Sequence, residues 1–336
     1  MFRRSLFFVM VASGLGLLLS LSSFSICLAE SKKITIHAIS AWPKDTLMME
    51  NFMGFVDSVN AKAAKMYPGE FEINYKGGPE IVPFREQVEA VRAGVVDVVF
   101  TANAYYTSAM PILDVFIATT LQPWEEREKG IYDLMQKLHA EKVNAFFLSR
   151  LGSGFNFQIF TTKPVKTLTD LKGMKLRCSP PLIPLLKKLE VNPVMMGPGD
   201  VYTALERNVV DGYIWPEAQI SEWGWEAATK FVIEPPLPYT ASDIILVNLD
   251  VWEKLPQKIQ TLLIEEAKEA ERRTIKHAIA YIPRENGKLA KMGIYFVKLS
   301  DTDAKELKET ALSVLWKVIN QKDPENGPKF EAMYKK

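Results

Sequence analysis

The sequence predicts an α/β protein built as two similar lobes facing each other across a cleft. Three observations predict it. Strand-like and helix-like stretches alternate from residue 34 to residue 100. The same alternation returns between residues 174 and 215. The last parts of the two stretches also match, EAVRAGVVDVVF (89–100) against TALERNVVDGYI (203–214). Gly94 then stands against Asn208, and both types tolerate the left-handed conformation that ends a helix. Val95-Val96-Asp97 stands against Val209-Val210-Asp211.

The elements follow in order. ITIHAI (34–39) alternates and is β-branched, so it reads as a strand. Residues 45–67 carry apolar side chains at helical spacing, and FEINY (71–75) alternates again. PFREQVEAVRA (83–93) reads as a helix closed by Gly94, and VVDVVF (95–100) as a buried strand. In the second unit MKLR (174–177) is a strand and PLIPLLKKLE (181–190) a helix with proline at its start. NPVMM (192–196) is a strand, DVYTALER (200–207) a helix capped by Asp200, and VVDGYIW (209–215) a strand. The proline-rich IEPPLPYT (233–240) reads as a crossing strand or hinge, and SDIILVNL returns as a strand. From about Leu255 to Lys291 the pattern is helical, with a break or kink expected near Pro283. Its charges Glu265, Glu266, Lys268, Glu269, Glu271, Arg272 and Arg273 read as a solvated stripe.

Residues 1–29 have the pattern of a secretory signal peptide. Arg3 and Arg4 precede an apolar run from Leu6 to about Leu21, and CLAE offers small residues for cleavage after Ala29. A retained anchor is the alternative. Cleavage would remove two cations and leave a net charge of −1 from 41 Lys+Arg and 40 Asp+Glu. That balance gives no reason to expect nucleic acid as a partner. Cys178 would be the one remaining cysteine, so no internal disulfide is expected. No later apolar run reaches spanning length, so the mature chain is expected to be soluble.

In open α/β sheets ligands bind beyond the carboxyl ends of the strands. Here those ends are residues 40–43, 76–80, 101–106, 177–179, 196–199 and 215–217. They offer Trp42, Glu80, Tyr105, Arg177, Ser179, Trp215 and Glu217 as candidates. A planar guanidinium at 177 can grip a carboxylate with paired donors, or bond a neighbouring loop acid. Position alone leaves both open. Glu80 and Glu217 face either the cleft or solvent, and solvent is the simpler reading.

Catalysis has little support. His37, His139 and His277 show no metal-ligand spacing, and no G-x-S-x-G elbow appears. No cofactor or metal is expected. Cys178 beside Arg177 is either an activated thiolate or a small buried thiol, and the second is the simpler reading.

LTDLKGMKLRCSP (167–179) followed by MMGPGDVYTALERNVVDGYIWP (195–216) resembles the solute-binding subunits of tripartite ATP-independent periplasmic (TRAP) transporters. YKGGPEIVPFREQVEAVRAGVVDVVF and the stretch from Leu255 to Ser300 are similar to further parts of that family. The resemblance implies a bilobed periplasmic-binding-protein-like fold. Lobe I would be 30–152 plus 241–280, and lobe II 153–240 plus 283–336, with the helix of 255–291 bracing both. It gives Arg177 the role of gripping an organic acid's carboxylate. Many members carry a second arginine where this chain has Phe157. Many have Asn where Trp215 stands, and metal-using 2-oxo acid binders have Glu where Ile214 stands. These departures give the cleft an aromatic character, with Phe157, Trp215, Trp42 and Tyr105 as its candidates.

The function implied is capture of an organic acid in the periplasm and delivery to membrane permease subunits, by a monomer. A single arginine favours a monocarboxylate with an apolar or aromatic body, unless Lys44 or Lys76 pairs a second charge. A ligand-binding partner of a periplasmic sensor would have the same cleft. A secreted hydrolase is the more distant alternative, and turnover of model esters would reveal it.

Overall fold

In a computed structural model, residues 33–119 and 121–335 are described. The signal-peptide reading of residues 1–29 lies outside them. Among the described residues no helix is long and apolar enough to cross a membrane.

The first unit runs β1 (Ile34–Ser40), α1 (Leu47–Met66), β2 (Phe71–Gly77), α2 (Gln87–Arg92), β3 (Val98–Ala102). Two short helices, α3 (Pro123–Glu128) and α4 (Ile131–Val143), lead to β4 (Ala145–Leu151). The chain then crosses to β5 (Phe157–Thr161). The second unit follows as β6 (Lys175–Arg177), α5 (Ile183–Lys188), β7 (Asn192–Val194), α6 (Val201–Glu206), β8 (Gly212–Pro216). After β9 (Phe231–Glu234) the chain crosses back to β10 (Asp243–Asn248), α7 (Leu249–Lys254) and the long α8 (Gln257–Lys291). It closes with β11 (Tyr295–Lys298), α9 (Asp301–Lys322) and α10 (Gly327–Lys335).

The strands form two sheets, ordered β2-β1-β3-β10-β4 and β11-β9-β5-β8-β6-β7. In each, the βαβαβ unit supplies three parallel strands. The next strand, β10 in one and β5 in the other, is antiparallel to its neighbour. The molecule is therefore bilobed, and each crossing segment starts the strand that completes a sheet.

The match between the two units is structural. Gly94 and Asn208 are both left-handed, at φ 71° and 54°. The amides of Val95 and Val96 turn back onto the Ala90 carbonyl at 2.9 and 3.5 Å, and those of Val209 and Val210 onto Ala204 at 2.8 and 3.4 Å. These turns explain why β3 and β8 start later than the valine runs suggest. Asp97 accepts the His37 amide at 2.7 Å and Asp211 the Lys175 amide at 2.9 Å, so each acid tethers the first strand of its unit. Gly212 differs from its counterpart Val98 for a local reason. A Cβ there would stand 2.2 Å from the Phe160 carbonyl.

Three local expectations are corrected. Asp200 makes no side-chain capping bond, because Pro198–Asp200 already form a 3-10 turn. Of the break or kink expected near Pro283, the break does not occur, and the helix runs on to Lys291. Proline removes one amide from the ladder, and the carbonyl it frees, that of Ile279, belongs to an exposed residue where water can bond it. The charged stripe is not wholly solvated. Glu266 and Glu271 are buried, in register with the apolar face of α8. Glu271 accepts from Arg127 at 2.7 Å, Tyr132 at 2.8 Å and Ser149 at 3.0 Å. Glu266 accepts from Ser58 and Lys62. Further along α8, Tyr281 takes the Gln219 amide and Glu285 the Ser221 amide, each at 3.1 Å.

One apolar core runs between the sheets, joining Ile39, Val99 and Phe116 to Leu176, Leu182 and Ile214. Leu307 and Leu315 of α9 and Phe330 of α10 belong to it. The other two clusters lie behind each sheet, one under α1 and the first half of α8, one around Trp215, Trp223 and Trp225.

Candidate functional site

Arg177 is the last residue of β6, followed by Cys178 and Ser179 before the turn that starts α5. Its side chain is buried, 6 % exposed. Nε and Nη2 both donate to the Met196 carbonyl, at 3.2 and 3.1 Å. The guanidinium carbon lies 4.9 Å from the centre of a Trp215 ring, within range of a cation–π contact. Of the two partners position left open, the loop acid is not used: among the described residues Arg177 forms no ion pair, and burial pulls its pKa below the ordinary value.

Arg177 lines a small cavity of about 80 Å³. Phe157, Trp215, Trp42, Tyr105 and Ser179 line it too. Four come from the carboxyl ends of different strands, as the rule for open α/β sheets expects, and Phe157 reaches the same edge because β5 runs antiparallel to β8. Trp42 follows β1, Tyr105 follows β3, Ser179 follows β6, Trp215 stands in β8, and Phe157 starts β5. Trp42 packs against Phe100 and Tyr105 at ring separations of 4.9 and 6.1 Å. Phe157 is fixed by its backbone, with its amide on Tyr239 at 2.8 Å and its carbonyl taking the Leu237 amide at 2.7 Å.

Glu80 and Glu217, named among the candidates, do not line this cavity. Glu80 is exposed and accepts the Gly78 amide at 2.7 Å, a bond that holds its carboxyl below the usual range. Glu217 directly follows β8, where its amide bonds the carbonyl of Asn156 on the first crossing segment at 2.9 Å. Burial raises its pKa to about 7. Lys44 and Lys76 are exposed and line nothing here, so neither stands ready to pair a second ligand charge. Of the predicted strand ends, 76–80 and 196–199 contribute only the Met196 carbonyl.

Lining residues outside the predicted strand ends and candidates are Met48, Ile117, Ala241, Ser242 and Asp243. Asp243 is the consequential one. It opens β10, is 6 % exposed, and burial raises its pKa to about 7. The signal was present: an acid directly before the apolar run IILV. Ser242 Oγ and Trp215 Nε1 are buried without a hydrogen-bond partner.

Cys178 is the buried thiol, not an activated thiolate. It is 1 % exposed, and burial raises its pKa to about 11 despite Arg177 beside it. His139 is buried beside Tyr106, at 2.9 Å, with its pKa lowered to about 4 by burial. His37 pairs with Asp97, and His277 lies beside Asn51. Among the described residues no three His, Cys, Asp or Glu side chains gather as metal ligands.

A larger cavity of about 650 Å³ lies at the crossing segments, lined by Ser153, Asn156, Pro235 to Pro238, and Lys305 and Lys308 of α9. It holds none of the candidate residues and no buried charge. Size alone does not make it the site.

A family model for bacterial extracellular solute-binding proteins, family 7, matches residues 41–322. A monocarboxylate 2-oxoacid-binding periplasmic protein of Nostoc sp. is 28 % identical over 235 residues, 66 % of this chain. The matched stretch spans only 62 % of that relative's length. A TRAP periplasmic solute-binding protein from Desulfovibrio salexigens, with bound orotic acid, superposes with a TM-score of 0.79. It is 18 % identical and covers 90 % of this chain and 98 % of its own. A Bordetella pertussis extracytoplasmic solute receptor binding pyroglutamic acid gives 0.77 at 19 % identity, covering 90 % of this chain and 100 % of its own. At such identities the two structures speak for the fold alone. The chain belongs to family 7 of the bacterial extracellular solute-binding proteins.

Proposed function

We propose that this protein captures a small organic acid by its carboxylate and hands it to the permease subunits of a TRAP-type transporter. It acts as a binding protein and not as an enzyme. The observation that carries the reading is Arg177, a buried guanidinium without an anionic partner among the described residues, at the wall of a cavity between two sheets. Taking a cation out of water is costly unless an anion meets it. A ligand carboxylate would meet it. The ligands of the relatives, 2-oxoacids, orotic acid and pyroglutamic acid, are all acids and support the class. A leader peptide cleaved near Ala29 would put the chain in the periplasm.

The lining favours one carboxylate over two. Phe157 stands where a second arginine would pair the far charge, and Asp243 would repel it. Trp42, Tyr105 and Trp215 offer apolar surface, worth about 25 cal/mol per Å² buried. The cavity's size favours a compact body. Capture then works by closure. The acid docks on Arg177, and Trp42, Tyr105 and Ala102 of the other sheet close over it, pivoting on the crossing segments 152–156 and 235–242. Contacts made only in the closed state shift the population toward it.

A thermal-shift screen of organic acids tests this. At about a hundred times the dissociation constant, binding should add about 2.7 kcal/mol of stability. Compact monocarboxylates should raise the melting temperature, and succinate, malate and sialic acid should not. A shift with the dicarboxylates and none with the monocarboxylates would sink the reading.

A further inference from the structure

The cavity holds a second ionisable group that the carboxylate grip does not use. Asp243 shares the lining with Arg177, and Tyr105 lies within the electrostatic reach of both. The Asp243 carboxyl is desolvated, and no hydrogen bond from a described residue stabilises it. The cation acting on it is Arg150, but that guanidinium is committed elsewhere. Arg150 Nε and Nη2 donate to Glu126 at 2.9 and 2.8 Å. Two buried acids therefore lie near one arginine, and Glu126 holds it. Among the described residues Asp243 is neither a structural ion-pair member nor a cap of a backbone amide. It is a nine-tenths buried acceptor at the wall of a ligand cavity, beside Ser242, whose buried Oγ has no hydrogen-bond partner.

A buried acceptor without a donor is costly, and a donor that arrives with the ligand removes the cost. A ligand oxygen without a hydrogen would meet only lone pairs and like charge once Asp243 is ionised, so the discrimination belongs to the carboxylate form. We infer that Asp243 is a specificity-determining residue that accepts a hydrogen bond from an N–H group of the ligand. The site would then select compact carboxylic acids carrying an amide, lactam or ammonium N–H over their oxo or ester counterparts. The inference rests on the organic-acid reading of the Arg177 site.

Calorimetry on the purified protein with matched acids tests it. One pair is 5-oxoproline and 5-oxotetrahydrofuran-2-carboxylate, which differ only in ring N–H against ring O. The other is valine and 3-methyl-2-oxobutanoate. In at least one pair the N–H acid should bind about tenfold tighter or more, the cost of leaving a buried acceptor unmatched. Asp243→Leu should erase that preference and still bind the counterpart. Should Asp243→Leu fail to fold, Asp243→Asn keeps the shape and should lose any preference for valine, whose ammonium then meets no carboxylate. Equal affinity within both pairs, or a preference that survives the Asp243 variants, overturns the inference. If Arg177→Ala still abolishes binding of all four acids, the organic-acid reading stands without it. Silence of all four acids with wild-type protein fails both.

Discussion

Two arginines in this protein are buried and end in opposite situations. Arg150 in β4 is fully buried and faces Glu126, which is fully buried too, at 2.8 Å. Tyr334 of α10 adds a hydrogen bond to the same carboxylate at 3.0 Å. Arg177 in β6 is almost as deep, yet its partners are one carbonyl and one indole face. The first charge is answered inside the chain and ties α3, β4 and α10 together. The second has no acid to answer it among the described residues, and a ligand carboxylate is the proposed answer. Burial alone does not separate a structural arginine from a functional one, and the partner list does.

The largest effect expected from this contrast is on stability. Glu126→Gln leaves Arg150 buried and unpaired, and should cost about 3–5 kcal/mol in denaturant unfolding. A loss below about 1 kcal/mol would mean that Arg150 does not depend on its carboxylate, and the contrast would fail.

Arg177→Ala should do the reverse. Affinity for a captured acid should fall by about 1.5–3 kcal/mol or more, read by calorimetry. The unliganded protein should melt near the wild-type temperature, since no internal ion pair is lost. Arg177→Lys should fail almost as badly in binding, because an ammonium cannot fork. Wild-type affinity in the alanine variant would break the comparison at its functional end.

A smaller effect concerns Asp243, which lies between the two arginines in role. Its pKa in the folded protein is raised to about 7, and that of Glu217 likewise. A raised carboxyl keeps its proton in the folded state after the unfolded chain has lost it. Each therefore lowers stability as pH rises from about 4 to about 7, and adds no further slope above that. His139, lowered to about 4, contributes the opposite slope below its ordinary range. The informative measurement is thus the difference between variants. Unfolding free energy of Asp243→Asn relative to wild type should increase as pH rises from about 4 to 7. A difference independent of pH would show that Asp243 is not desolvated in solution.

The smallest expected effect is none. By the sequence resemblance, Ile214 takes the place of the Glu of metal-using 2-oxo acid binders, so chelator-treated protein should keep its ligand-induced melting shift. A shift that vanishes with chelator and returns with calcium or sodium would mean that Arg177 does not hold the anion alone.

Much of this was legible in the chain. The paired βαβαβ units were visible because periodicity is local: Gly94 and Asn208 mark equivalent helix ends, and Asp97 and Asp211 equivalent tethers. Arg177, Ser179, Trp42, Tyr105 and Trp215 could be found because strand ends point at the cleft. Glu266 and Glu271 were misread because charge was weighed over register. They fall on the same helical face as Leu263, Ala267, Ala270 and Thr274.

The sequence by itself determined the order of elements, the two-lobed plan and the identity of the carboxylate-gripping candidate. Each depends on residues close together in the chain. Only the tertiary structure decided which charges are answered. Glu126 meets Arg150 across 24 positions, while Glu271 reaches Arg127 across 144. Asp243 reaches the cavity wall because β10 crosses back to complete the first sheet. Whether a buried charge is structural or open to a ligand depends on atoms a few ångströms away, and in this fold those atoms come from distant parts of the chain.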